Sequence, residues 1–190
     1  MQIVTLSGSP RSGSYTAKAL AVMSDEFEAH GHQVTRLDMA TLRLHFPGSP
    51  PTDDATRMKA AIAAADAVVL ATPEYHGSIS AALKLALENM GFPSALKEKP
   101  VAMLGVAGGR IGAIKSIEQL RSILAHVGAF ALPGSVSIPN VRKAFDADGN
   151  CLDADIEGRL KKLVESLAKY VGKGSCDIAS REAAVRGDSN

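Results

Sequence analysis

Short apolar runs alternate with longer amphipathic segments along this chain, and no other feature of the sequence constrains its fold as strongly. Such alternation is typical of βαβ units, in which helices join parallel strands. The runs at 67–73 and 100–107 are almost wholly apolar, as strands covered on both faces of a sheet are. The pattern predicts strands at residues 2–7, 33–38, 67–73, 100–107 and 130–138, and helices at residues 14–30, 53–65, 79–91, 112–127 and 153–171.

Five strands and five helices in 190 residues predict an α/β fold with an open, doubly wound sheet and helices on both faces. The favoured strand order is the flavodoxin-like 2-1-3-4-5. Such sheets bind ligands beyond the carboxyl ends of their strands, where the strand order reverses. We therefore expect one domain over residues 1–172, with its site at loops 8–16, 73–79 and 107–112. Residues 173–190 show no apolar period and are expected to form a mobile tail.

Composition narrows the possible partners and the cellular compartment. The net charge of +1 gives no basic field that would attract nucleic acid. No apolar run reaches the roughly 18 residues of a membrane span, so no membrane partner is expected. The two cysteines, Cys151 and Cys176, are too few and too far apart in sequence for a disulfide framework. These features predict a cytoplasmic protein.

The segment at residues 7–16, SGSPRSGSYT, connects the first predicted strand to the first predicted helix. Backbone N–H groups at such a junction converge on one point, and the helix dipole adds partial positive charge there. Ser9, Ser14 and Thr16 supply hydroxyl groups, and Arg11 supplies a guanidinium fork. The segment therefore predicts a phosphate-binding loop.

Two other phosphate-binding motifs fit this loop less well. Gly8 and Gly13 have the spacing of a P-loop, but Ser14-Tyr15 stands where that motif requires Lys-Ser or Lys-Thr. The dinucleotide fingerprint requires glycine where this loop has Ser9 and Pro10. A monophosphate held without magnesium is favoured. The alternative is a plain turn in which Ser14 only caps the helix.

A second loop, residues 73–78 with the sequence PEYHGS, follows the third predicted strand. Pro73 stiffens the turn, and Gly77 allows the main chain to approach a ligand closely. Tyr75 offers a flat aromatic face or a hydroxyl group, and Ser78 is placed to cap the next helix. These properties suit a planar ring that is recognised largely by the main chain.

Together these motifs resemble those of the NADPH-dependent FMN reductases, a flavodoxin-like family that includes quinone, azo and chromate reductases. Members carry a first loop like residues 8–16 and a Pro-Glu-Tyr-[His/Asn]-Gly-Ser loop like residues 73–78 with a downstream Leu-Lys, here Leu83-Lys84. They also tend to have a Gly-Gly loop after the fourth strand, here Gly108-Gly109. The resemblance covers about residues 1–140.

The resemblance departs from the family pattern within one predicted helix. Ala81 stands where members often have glycine, and residues 85–88 replace Asn-Ala-[Ile/Leu]-Asp. Because these positions lie in the helix and not in the loop, we expect changed packing or subunit contacts with flavin binding retained.

The resemblance implies FMN as cofactor, NADPH or NADH as reductant, and a small-molecule electron acceptor served by a ping-pong cycle. Since the chemistry belongs to the cofactor, neither a catalytic side chain nor a metal ion is expected. Glu74 is expected to act through its backbone, with its carboxylate in solvent or paired across an interface, and His76 is expected to be a solvated loop residue. Arg110 or Lys115 is a candidate cation for the NADPH phosphate, although a solvated position at a helix start is favoured for both. The implied cofactor-binding residues are Ser9, Arg11, Ser14, Tyr15, Thr16, Pro73, Glu74, Tyr75, His76, Gly77, Ser78, Gly108, Gly109 and Arg110.

Two other functions remain possible, and so does assembly into a homo-oligomer. A flavodoxin-type electron carrier would bind FMN without a nicotinamide site, although carriers are usually strongly acidic and this chain is not. An adaptor that keeps the fold without a cofactor is disfavoured by the phosphate-type loop. The helix at 79–91 is apolar beyond one face, which favours a homodimer or homotetramer unless the chain's own 92–99 loop covers it.

Overall fold

The computed structural model describes residues 1–174 and has a parallel β-sheet at its centre. Residues 175–190, which hold most of the expected tail together with Cys176, lie outside the described part of the chain. The strands are β1 (Gln2–Ser7), β2 (Gln33–Asp38), β3 (Ala67–Pro73), β4 (Pro100–Val106), β5 (Phe130–Ala131) and β6 (Val136–Ile138). The helices are α1 (Tyr15–Ala29), α2 (Asp53–Ala64), α3 (Ala81–Glu88), α4 (Ile114–His126), α5 (Val141–Ala144) and α6 (Ala154–Gly174).

The strand order is β2-β1-β3-β4-β5, with β6 also paired to β4, and every pairing is parallel. This confirms the doubly wound sheet and the order 2-1-3-4-5. β1 lies between β2 and β3, so the strand order reverses at the carboxyl end of β1. Loops that follow β1, β3 and β4 therefore meet at one edge of the sheet.

The prediction of a single fifth strand at 130–138 was wrong, because this segment forms two short strands, β5 and β6. β5 pairs with the start of β4 and β6 with its end. Between them Pro133 has no N–H to donate, and Gly134 adopts a φ of 79°. The short helix α5 was not predicted. It follows Asn140, whose φ of 46° reverses the chain direction.

Each face of the sheet is covered by its own apolar cluster. On one face α1 and α6 pack together, with Met23 and Phe27 buried among residues such as Leu160 and Leu167. On the other face α2, α3 and α4 cover the strands. β3 is buried along its whole length, as its unbroken apolar sequence predicted.

Helix α3 is mostly covered by its own chain. Leu83, Ala86 and Met90 are fully buried, and Leu96 from the following loop packs in the same cluster. Most of the apolar residues that favoured an oligomer are therefore buried by the chain itself, whereas Ala81 is exposed and Leu85 half-buried. The oligomeric state stays a prediction that sedimentation would test. No helix within residues 1–174 combines the length and apolarity needed to cross a membrane.

Candidate functional site

A cavity of about 330 Å³ lies where the loops after β1, β3 and β4 meet. This is the switch point of the strand order, where the sequence predicts the site. The volume is within the range of small-molecule clefts. Its walls are formed by Ser9, Arg11, Ser12, Gly13, Ser14, Tyr15, Thr16, Pro73, Glu74, Tyr75, Val106, Ala107, Gly108, Val141 and Arg142.

The first loop presents hydrogen-bond donors to this cavity. The N–H groups of Ser12, Gly13, Tyr15 and Thr16 have no acceptor among the described residues. They lie at the start of α1, where the helix dipole is positive. Thr16 is buried and Tyr15 half-buried, so their N–H groups need partners, and the loop is suited to an anion.

Two serine hydroxyl groups shape the same loop. Ser14 is the N-cap of α1 and accepts a hydrogen bond of 3.2 Å from the Ala17 N–H. Ser9 is buried and accepts one of 3.3 Å from the Arg11 N–H. Ser14 therefore does cap α1, and it lines the cavity as well.

Arg11 links the first loop to the second. Its guanidinium carbon lies 5.6 Å from the centre of the Tyr75 ring, in a cation–π contact. Among the described residues Arg11 forms no ion pair with a carboxylate. Its positive charge is therefore available to an anion in the cavity.

Glu74 holds the second loop against β4 and α4. Its N–H donates to the Val106 carbonyl at 3.0 Å, and its carboxylate accepts from the Ser116 N–H at 3.0 Å. Ser116 is in the first turn of α4, so the carboxylate lies at a helix N-terminus. We expected this carboxylate in solvent or paired across an interface, and the structure places it elsewhere.

Replacing Glu74 should separate its two contributions. Glu74→Gln keeps an acceptor for Ser116 but removes the charge, so we expect the free energy of unfolding to fall by about 0.3–1 kcal/mol. Glu74→Ala also removes the acceptor and should cost about 1–2 kcal/mol. Urea unfolding of both variants measures the difference. An unchanged stability of Glu74→Gln would contradict a charge contribution, and equal losses in the two variants would contradict a contribution from the neutral acceptor.

Residues 75–78 form a tight hairpin. Tyr75 and Ser78 exchange two backbone hydrogen bonds of 3.0 Å, and the turn between them has φ values of 51° at His76 and 72° at Gly77. Positive φ at both central residues defines a type I′ turn, which explains the need for glycine. His76 is exposed, and 76–78 do not line the cavity.

Gln119 of α4 fixes the end of this hairpin. Its Oε1 accepts hydrogen bonds from the Ser78 hydroxyl and, at 3.2 Å, from the Ile79 N–H. Ser78 therefore does not cap α3, as we expected it could. Ser80 does so instead, by accepting from the Leu83 N–H at 3.0 Å.

The third loop contributes less to the cavity than expected. Gly108 lines it, while Gly109 and Arg110 do not. Gly109 instead accepts a hydrogen bond of 3.0 Å from the Asn140 N–H. Lys115 packs over the hairpin turn, since a Cβ added to Gly77 would meet its side chain at 3.3 Å.

Lys18 ties α1 to the segment that follows α5. Its Nζ donates to the carbonyl oxygens of Asp146 and Ala147, at 2.6 and 2.8 Å. It also lies 5.3 Å from the centre of the Tyr15 ring. Asn150 donates to the Asp146 carboxylate, which lowers the pKa of that carboxyl and closes the turn. The chain after α5 is thus fastened beside the first loop.

The structure brings nine of the expected residues into the cavity wall: Ser9, Arg11, Ser14, Tyr15, Thr16, Pro73, Glu74, Tyr75 and Gly108. Sequence reasoning missed Ser12, Gly13, Val106, Ala107, Val141 and Arg142. The first four lie within or beside the predicted loops. For Val141 and Arg142 the only signal was the Pro139-Asn140 pair, which marks a turn after a strand.

Comparison with known proteins gives consistent matches. The model of the NADPH-dependent FMN reductase family matches residues 1–143. An NADPH azoreductase of a Bacillus species is 31% identical over 171 residues, covering 90% of this chain and 93% of that protein. An NAD(P)H-dependent FMN reductase of Pseudomonas aeruginosa is 29% identical, covering 90% and 95%. The structure of FerB, a flavoenzyme NAD(P)H:(acceptor) oxidoreductase from Paracoccus denitrificans, superposes with a TM-score of 0.74 at 25% identity, covering 90% and 97%.

Proposed function

This chain belongs to the NADPH-dependent FMN reductase family, and from that premise we propose that it passes reducing equivalents from NADPH to a small organic acceptor in two successive half-reactions. It is an oxidoreductase that depends on FMN and a nicotinamide nucleotide. The observation that carries the proposal is one cavity that is lined both by the donors of the first loop and by Pro73 and Tyr75 of the second.

The donor set of the first loop fits the phosphate of FMN. Four N–H groups without acceptors among residues 1–174, the three hydroxyl groups of Ser9, Ser14 and Thr16, and the Arg11 guanidinium are what a phosphate monoester dianion requires. We propose that Ser9, Arg11, Ser14 and Thr16 hold that phosphate. No lysine of the P-loop type is needed, because no triphosphate or magnesium ion has to be held.

The second and third loops fit the ring of FMN. Pro73, Tyr75 and Val106 give an apolar wall, and Gly108 carries no side chain to obstruct it. FMN, when bound, supplies the ring that accepts and donates hydride, which no side chain provides. The residues of the chain bind and orient it, and Glu74 and Gln119 keep the loop in place.

We propose azo compounds and quinones as the class of acceptor, because a curated relative is an azoreductase. Reductant and acceptor would both have to reach the flavin ring in this one cavity, so they would use it in turn. That arrangement favours a ping-pong cycle. Arg110 and Lys115 flank the loops on the outside, and we propose them as cations for the NADPH phosphate.

Anaerobic titration tests the proposal. The purified protein is mixed with FMN, and its visible flavin band is recorded before and after NADPH is added. Bleaching of a bound flavin, followed by recovery on adding a quinone or azo dye, is expected, with parallel double-reciprocal rate lines. Bound flavin that neither NADPH nor NADH reduces would indicate an electron carrier. Failure to bind flavin would overturn the proposal.

A further inference from the structure

Arg142 reaches the cavity from a helix that no motif predicts. The Val141 N–H donates to the Ala107 carbonyl at 3.0 Å, and the Asn140 N–H donates to the Gly109 carbonyl at 3.0 Å. Val141 and Ala144 are both buried in the core. The backbone on either side of Arg142 is therefore fixed, and Arg142 is an exposed residue that lines the cavity.

Arg142 lies on the same face of the sheet as the first loop. Val141 and Ala144 pack in the apolar cluster that contains Ala19 and Leu20 of α1, the helix that the first loop enters. The bonds from Lys18 to the chain after α5 strengthen this attachment. Arg142 thus lines the same cavity as the first loop, from a helix that packs against α1.

The charges at this end of the cavity are unbalanced. Neither Arg11 nor Arg142 forms an ion pair within the described part of the chain. Glu74 is the one carboxylate among the cavity-lining residues, and it is bound to the N-terminus of α4. Two arginines therefore line the cavity without an ion-pair partner among the other residues of its wall.

We infer that Arg142 is the second cation of the phosphate subsite and shares the phosphate charge of FMN with Arg11. The inference depends on the proposed function, in which FMN occupies this cavity. A phosphate monoester carries about −1.5 to −2 charges at pH 7, so a single guanidinium leaves it partly uncompensated. A second guanidinium on a fixed backbone supplies the remaining charge without a metal ion.

The test compares Arg142→Met with Lys143→Met in the full-length protein freed of flavin. Lys143 is the next residue on α5, is exposed and does not line the cavity, so it matches the loss of one positive charge. Dissociation constants for FMN and riboflavin are measured by quenching of flavin fluorescence. For Arg142→Met we expect at least about fivefold weaker FMN binding, since hydrogen bonds to charged groups are the strong class. Riboflavin binding by Arg142→Met and FMN binding by Lys143→Met should change less than about twofold.

The other outcomes have separate meanings. If the unmodified protein binds FMN and Arg142→Met binds it equally well, the second-cation role is overturned and the proposed function stands. Equal losses for FMN and riboflavin would assign Arg142 a structural role and also overturn the inference. Partial recovery in Arg142→Lys would support it, because lysine restores charge without the planar fork. If the unmodified protein binds no FMN, the proposed function itself fails.

Discussion

Arg11→Met is expected to weaken FMN binding by at least about tenfold and to leave riboflavin binding within about twofold. The two ligands differ only in the phosphate, so their ratio isolates the contact with that group. Arg11 lies on the rim of the cavity, in the loop where four N–H groups lack acceptors within residues 1–174. It has no carboxylate partner there, so its removal leaves no buried charge behind.

Methionine is chosen because it keeps an unbranched stem beside the Tyr75 ring while removing the charge. Titration of both flavins by fluorescence quenching, repeated in high salt, gives the measurement. The ratio of FMN to riboflavin affinity should fall in the unmodified protein as salt rises and should be less sensitive to salt in the variant. A parallel loss for both flavins would place Arg11 at the ring and remove it from the phosphate subsite.

Gly8→Ala is expected to lower the free energy of unfolding by about 1–3 kcal/mol and to weaken binding of FMN and riboflavin alike. An added Cβ would lie 2.7 Å from the Ala71 carbonyl oxygen and 2.7 Å from the Leu83 Cβ. Neither atom is the end of a flexible side chain. The Gly8 N–H also donates to Ala71 at 2.8 Å, and its carbonyl accepts from the Ser80 hydroxyl. The new methyl group therefore has to push α3 away from β1 and β3 at the entry to the first loop.

Gly158→Ala provides a control in which we expect the free energy of unfolding to rise instead of fall. Gly158 is an exposed residue within α6, and an added Cβ would meet no atom within 4 Å. There the same substitution should stabilise the protein by about 0.5–1 kcal/mol, because glycine is a poor helix former. Urea unfolding of both variants and flavin titration of Gly8→Ala complete the comparison. If Gly8→Ala is as stable as the unmodified protein, the first loop and α3 can move apart without a measurable cost in free energy, which would contradict the expectation.

The strands and the loop that could be predicted from the sequence are those whose positions depend on residues close together in the chain. β1, β2 and β3 match their expected bounds because their apolar runs end at glycine, proline or charged residues. The first loop was predicted because its donors are adjacent in sequence. α5 was not, since four residues are too few to show a helical period.

Contacts between distant residues were beyond prediction from a single sequence. The acceptor role of Glu74 toward Ser116 joins positions 42 apart, and only the packing of α4 on the sheet brings them together. The same holds for Gln119 and Ser78, 41 positions apart. The predicted excess of apolar residues around 79–91 was real, but the chain itself covers most of it. Burial by a loop and burial by a subunit give the same sequence pattern.

Because α6 packs on α1, the part of the chain that packs together in the fold is longer than the part that the family model matches. The family match ends at residue 143, before α6 begins. Yet α6 buries Leu160, Leu163 and Leu167 in the same cluster as the helix that carries the first loop. Each leucine contributes about 1.5–3 kcal/mol of burial. A fragment cut at the end of the family match would keep every residue that lines the cavity but lose the helix that packs behind the first loop, so any transplant of this cavity has to include α6.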